Sequence, residues 1–153
     1  MDKLKHKSFM NEAINEAKVG LSEGGIPIGS VLVYNDEIIG RGHNQRIQKN
    51  NPILHGEMDA LQNAGRLKNN VYRNCILYST LSPCIMCSGT IAHFKIPKIV
   101  IGENTTIKNT TYCEDFLKYR GIEVLNLNLN ECKELMKLFI DNNKEIWFED
   151  ISI

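Results

Sequence analysis

The sequence predicts an α/β fold, a three-layer α/β/α sandwich built on a mixed five-stranded sheet. Three observations carry that expectation. A β-branched apolar run at 28–34 is followed by the turn signal Asn35-Asp36 and a returning segment, which makes an antiparallel hairpin. Three further short apolar runs alternate with amphipathic segments, the pattern of strands joined by helical crossovers, with helices on both faces of the sheet. The chain has 153 residues and shows no repeat, linker or low-complexity stretch, so a single domain over 1–153 is expected.

Residues 8–20 read as a helix because Phe9, Met10, Ala13, Ile14 and Ala17 recur at helical spacing, with Gly20 at or just past its end. Gly24-Gly25 marks a loop, 28–34 a buried strand and 37–42 its antiparallel partner. The stretch 43–54 is polar, holds one proline and has no period. Loops of that length in compact domains are often functional, and Asn44 stands at its start. His55-Gly56-Glu57 then runs into Met58, Ala60, Leu61 and Ala64, a helix ending near Gly65. Residues 75–80 form the third strand. Ser82 is placed to cap the next helix and Pro83 suits its first turn, where no amide donor is needed. That helix carries Cys84, Cys87, Ile91 and Ala92 and stops before Pro97. A fourth strand at 98–102, a polar loop at 103–111, a short helix at 112–119 ended by Gly121, and a fifth strand at 122–127 follow. A helix at 131–141 puts Cys132, Leu135, Met136 and Phe139 on one face. The tail holds the one tryptophan, Trp147, beside Phe148, a pair that composition alone reads as a packing anchor.

Apolar residues make up 42% and charged residues 24%, ordinary for a soluble globular chain. The formal net charge is zero, which argues against nucleic acid as the main partner. Five cysteines at irregular spacing do not form a disulfide framework. The charged start leads into no long apolar run, so neither a signal peptide nor a membrane span is read, and a reduced cytoplasm is the expected location.

The chemistry concentrates in His55-Gly56-Glu57 and Ser82-Pro83-Cys84-Ile85-Met86-Cys87. One imidazole and two thiols are the three protein ligands of a catalytic zinc site that keeps its fourth corner open. Both sulfurs fall in the first turns of a helix, where exposed amides favour thiolate, and a two-residue gap lets both reach one ion. Glu57, two residues beyond His55, is close without being needed as a ligand. It is the candidate general base and acid for the bound water. The order H-x-E then P-C-x-x-C is the signature of zinc nucleobase deaminases. Alternatives stay open: a structural four-ligand zinc site using Cys75, Cys113 or His43, a non-catalytic zinc-binding module, or a single-strand nucleic-acid binder, for which no aromatic-plus-basic stripe is present.

At these residues the sequence resembles the cytidine deaminase superfamily, and within it the fungal-type cytosine deaminases. The resemblance covers nearly the whole chain. It rests on Glu23-Gly24-Gly25-Ile26-Pro27-Ile28-Gly29, Gly40-Arg41-Gly42-His43-Asn44, Leu54-His55-Gly56-Glu57, Leu77 to Cys84, Ile101-Gly102-Glu103-Asn104 and Trp147-Phe148-Glu149-Asp150-Ile151. The tail, and glycine rather than alanine after the ligand histidine, point to the cytosine enzymes. The resemblance implies a cytidine deaminase-like fold, one zinc per subunit on His55, Cys84 and Cys87, and Glu57 as proton shuttle. It implies that Asn44 and the Gly56 amide hold the ring carbonyl. It also implies that Asp150 accepts from the ring N–H and that the Ser82 carbonyl receives the leaving amine. Ile28, Leu81, Trp147 and Phe148 would wall the pocket, the last two from a C-terminal helix. It further implies a homodimer and hydrolysis of cytosine to uracil and ammonia in pyrimidine salvage. Guanine deaminase and tRNA adenosine deaminase are the rivals within the superfamily. Ile107 stands where the family places a pocket aromatic, and His93 replaces an apolar residue near the expected dimer contact.

Overall fold

A computed structural model describes residues 3–107 and 111–152. Positions 108–110 of the expected polar loop lie outside the described residues. The chain opens with α1 (Lys3–Ser22), then the hairpin β1 (Gly29–Tyr34) and β2 (Glu37–His43). α2 (Gly56–Ala64) and the single turn α3 (Asn69–Tyr72) precede β3 (Cys75–Ser79). After it come α4 (Ile85–His93), β4 (Lys98–Ile101), α5 (Thr111–Tyr119), β5 (Glu123–Asn126), α6 (Asn130–Asn142) and α7 (Lys144–Asp150).

The five strands form one sheet in the order β2-β1-β3-β4-β5. β1 is antiparallel to both β2 and β3, and β3, β4 and β5 are parallel, which is the mixed sheet expected from the crossovers. Asn35 and Asp36 both take positive φ, 49° and 63°, the twist-matched geometry of a two-residue hairpin turn.

The sheet's two-residue period sorts the core. Leu32, Leu77, Ile99 and Ile101 point to one face and pack with Ile91 and Ala92 of α4, Leu117 of α5 and Leu61 of α2. Val31, Val33, Tyr78 and Val100 point to the other and pack with Met10, Ala13 and Ile14 of α1 and Cys132 of α6. A third cluster, Ile26, Ile28, Leu81, Met136, Phe139 and Trp147, closes the end of the sheet where β2, β3 and β4 finish. That end is where α/β sheets build their sites.

Three local expectations differ from the structure. α1 extends in both directions beyond 8–20, and Gly20 lies inside it. A Cβ there would sit 3.2 Å from the His43 ring, so the glycine serves a close approach rather than a helix end. The chain turns instead at Gly24, with φ 83°. Ser82 does not cap α4. The N-cap is Cys84, and Ser82 Oγ donates to Glu114 Oε2 at 3.2 Å, a long-range partner that outcompetes the local cap. The short α3 has too few residues to show a period and was not expected.

Candidate active site

His55 precedes α2 as its N-cap, in extended conformation, and Gly56 and Glu57 form its first turn. Cys84 holds the same place before α4, with Cys87 one turn on. Two helix starts therefore converge at one end of the sheet. Cys84 Sγ and Cys87 Sγ lie 3.5 and 3.6 Å from His55 Nδ1. The three donor atoms fall within 4.8 Å of one another. A tetrahedral zinc with ordinary Zn–S and Zn–N bonds sets sulfur and nitrogen about 3.6 Å apart, so the donor set fits that ion. Among the described residues the group holds three side chains and no fourth protein ligand.

The other candidates for a fourth ligand are engaged elsewhere. His43 is held through both ring nitrogens, Nδ1 3.0 Å from Glu16 Oε1 and Nε2 2.7 Å from Glu23 Oε1. Cys75 is buried in the core and its thiol donates to the Val71 carbonyl. Cys113 lines the cavity but stands outside the donor group.

The electrostatics suit a cation. A hydrogen bond from Cys87 and another from His55 draw the Cys84 thiol down to about 4 against the effect of burial. Cys87, bonded to that thiolate, buried and next to Glu57, is pushed well up. A divalent ion held by His55, Cys84 and Cys87 would favour the thiolate of both sulfurs. Burial raises Glu57 above the usual carboxylate range, with the nearby His55 pulling the other way. A carboxyl raised in this way is a candidate for taking up and releasing a proton. Glu57 is 3% exposed, and its Oε1 lies 3.0 Å from Ser79 Oγ at the end of β3.

A cavity of about 390 Å³ opens onto this group, within the size range of small-molecule sites. Ile28, Leu81, Ser82, Trp147 and Asp150 line it, as expected from the sequence, and so does Ile107. Asn44 is 1% exposed, and its Nδ2 is a buried donor without a partner, while Oδ1 accepts from the Arg46 amide at 3.1 Å. Such an orphaned donor is a place for a ligand acceptor. Asn44 is set by its own amide, which donates to the Ile28 carbonyl at 2.9 Å. Asp59 supports the same corner from α2, its Oδ2 accepting from the His43 amide and from Gln45 Nε2. The amide of Gly56 opens α2, where helices leave their N–H groups unpaired. The Asp150 side chain is 4% exposed, and its Oδ1 lies 3.9 Å from His55 Nε2.

Three expected site residues are not among those that line the cavity: Asn44 and Gly56, which are buried, and Phe148. Phe148 is 43% exposed. On a helix, adjacent residues point about 100° apart, so burying Trp147 turns Phe148 outward. Ile151, one turn beyond Trp147, lines the cavity in its stead. Sequence reasoning also passed over Arg46, Ser79 and Tyr112. The polar 43–54 loop hinted at Arg46, and a strand's carboxyl end at Ser79, but neither carries a motif.

The family model of the cytidine and deoxycytidylate deaminase zinc-binding region matches residues 3–103. A cytosine deaminase of Candida albicans is 47% identical over 146 residues, 95% of each chain. A tRNA-specific adenosine deaminase of Streptococcus pyogenes serotype M18 is 45% identical over 145 residues, 90% of this chain and 91% of its own. A solved tRNA:A34 deaminase, studied for A-to-I editing at the wobble position, superposes with a TM-score of 0.69 at 25% identity, covering 84% of this chain and 99% of its own. With the zinc-binding region matched over most of the chain and its three donors assembled at one sheet end, this protein belongs to the cytidine and deoxycytidylate deaminase zinc-binding family.

Proposed function

We propose that this protein is a zinc-dependent hydrolase that converts free cytosine and water to uracil and ammonia. The observation that carries the reading is Asp150, a carboxylate 4% exposed in the cavity wall on the His55 side of the site. It offers an acceptor to the ring N1–H of a free base, which a nucleoside lacks. Sites built around a buried polar partner reject ligands that leave it unpaired. The relative of 47% identity in Candida albicans is a cytosine deaminase, which supports the same substrate.

His55, Cys84 and Cys87 would hold zinc, which would supply an acidified water. Asn44 Nδ2 and the Gly56 amide donate to the ring carbonyl, and Asp150 accepts from N1–H, which fixes the ring's orientation. Glu57 would take one proton from the water and deliver it to ring N3 as the water oxygen bonds to C4. It would then take that oxygen's second proton and pass it to the amine, which leaves as ammonia when the C4–N bond breaks. The Ser82 carbonyl accepts from that amine. Ser79 follows the state of Glu57, because its single hydroxyl proton has two acceptors, Glu57 Oε1 at 3.0 Å and the Leu81 carbonyl at 2.9 Å. Toward a carboxylate it donates; toward a protonated Glu57 it turns to Leu81 and accepts. Ile28, Leu81 and Trp147 keep bulk water from the ring.

The reading extends to a homodimer in a reduced cytoplasm. Ile53, 54% exposed, lines a cleft with Met58 and Leu61 of α2, Thr90 of α4 and Phe94. All five cysteines are free, and no helix among the described residues is long and apolar enough to cross a membrane. The test is a side-by-side assay on cytosine, cytidine, guanine and an adenosine-containing anticodon stem-loop. Turnover of cytosine above the rest is expected; turnover of the tRNA substrate alone overturns the reading.

A further inference from the structure

Arg46 takes no part in the chemistry above, yet three of its groups are engaged. Its amide donates to Asn44 Oδ1 at 3.1 Å, its Nε to the Pro52 carbonyl at 2.7 Å, and its Nη1 to Asp150 Oδ1 at 2.5 Å. Each contact has a consequence. The first occupies the oxygen of the Asn44 amide, so the end left for a ligand is Nδ2, buried and without a partner. The second anchors the guanidinium to the 44–54 loop from within. The third reaches across 104 positions of sequence to the last residue of α7 and takes up one oxygen of Asp150.

The two side chains are 23% and 4% exposed, so the pair is shielded from water. Removing one partner of such a pair leaves a buried charge uncompensated, which is the costly case. α7 has seven residues, far fewer than a helix needs to persist alone. Its hold on the body is Trp147, seated in the cluster with Ile28, Leu81 and Met136, and this ion pair.

We propose that Arg46 is the positioning residue whose guanidinium latches α7 to the 44–54 loop and sets Asp150 as the acceptor end of the site. The proposal rests on the deaminase reading of the same site. Losing the Arg46 side chain loosens Asp150 and the Pro52 anchor, while Glu57, Ser79, the zinc donors and the main-chain amide that faces Asn44 Oδ1 stay in place. Binding and selectivity therefore fall before chemistry does.

The experiment compares wild type, Arg46→Gln and Arg46→Lys. Three readouts are taken: steady-state kinetics on cytosine and 1-methylcytosine, zinc content, and acrylamide quenching of Trp147, the one tryptophan. For Arg46→Gln the KM for cytosine is expected to rise about tenfold or more, the scale of one lost charged hydrogen bond, with kcat within about threefold. Zinc stays bound, the preference for cytosine over 1-methylcytosine narrows, and Trp147 becomes more open to quencher. Arg46→Lys keeps a cation but loses the fork that spans Pro52 and Asp150, so its KM lies between the two. Wild-type KM together with wild-type quenching in either folded variant overturns the proposal. If Arg46→Gln does not fold, Arg46→Lys alone decides on the same criterion. A wild type inactive on cytosine sinks the substrate reading instead, while the quenching comparison still reports on the latch.

Discussion

Replacing Gly56 by alanine tests whether the start of α2 and the start of β1 are held as one unit. A Cβ on Gly56 would lie 2.9 Å from the Ile28 carbonyl oxygen, where ordinary contact begins at 3.4 Å. The difference, 3.4 minus 2.9, is half an ångström of enforced movement. The neighbour is backbone and cannot swing aside. The same Ile28 oxygen accepts from the Asn44 amide at 2.9 Å, so the displacement is shared by Asn44 on one side and His55 and Glu57 on the other. Catalytic constellations tolerate about 0.5 Å of error, and a misplacement of about 1 Å costs on the order of a hundredfold. Gly56→Ala should therefore lower kcat/KM on cytosine about 10- to 100-fold. Overpacking of this kind costs about 1–3 kcal/mol, a drop in Tm of about 2–12 °C for a domain of this size. Zinc should remain at one per chain, because no donor is removed. The assay is the fall in cytosine absorbance, run beside differential scanning calorimetry and metal analysis. A variant with wild-type kcat/KM and unchanged Tm refutes the packing argument, and one that loses zinc refutes the claim that the strain is spread over Asn44.

Other perturbations separate the remaining roles. Glu57→Gln keeps an oxygen for Ser79 and all three zinc donors, so zinc and fold should persist while kcat falls by about 10²–10⁴, the usual share of a proton carrier; retention within tenfold would displace Glu57 from that role. Ser79→Ala leaves the buried Glu57 oxygen without its partner and should lower kcat about tenfold, with KM within about threefold; an equal rise in KM would instead indicate a distorted pocket. His43 faces Glu16 and Glu23 through both ring nitrogens, with Arg41 against Glu16, Lys49 near Glu23 and Asp59 on its amide. Burial alone would lower the His43 pKa, but the bonds to Glu16 and Glu23 outweigh it and raise it above 6.5, while the His43 bond lowers Glu23 below 4.5. The folded state binds the His43 proton more tightly than the unfolded state. Its stabilisation is thus complete below pH 6.5 and fades as pH rises through the raised value. The Glu23 share is present above pH 4.5 and fades as pH falls through the lowered value. The Tm gap between wild type and His43→Gln should be widest between pH 4.5 and 6.5; a gap that stays flat into alkaline buffer contradicts the charged-histidine assignment.

The zinc donors were legible because each stands at the start of a helix whose period is visible on its own. His55 leads into Met58, Ala60 and Leu61, and Cys84 and Cys87 lead into Ile91 and Ala92. The strands were legible for a similar reason, since β-branched runs between turn residues declare a two-residue period. The end of α1 was not, because Gly20 reads as a stop until the His43 ring is packed against it. Nor was the partner of Ser82, where a local cap and Glu114 compete on equal terms in sequence. Phe148 was misplaced because the resemblance named a pair, whereas a helix can turn only one of two adjacent residues inward.

By itself the sequence determined the layered α/β class and singled out His55, Cys84 and Cys87 as a metal-donor set with Glu57 as the candidate proton carrier beside it. These depend on spacing along a few turns of chain, where geometry is nearly fixed by the backbone. Tertiary structure alone decided how the candidate site residues are held: Ser79 on Glu57, Asp59 on the His43 amide, and Arg46 on Asp150, 104 positions away. Contacts between distant segments depend on where the whole sheet brings its ends, and no local pattern carries that information.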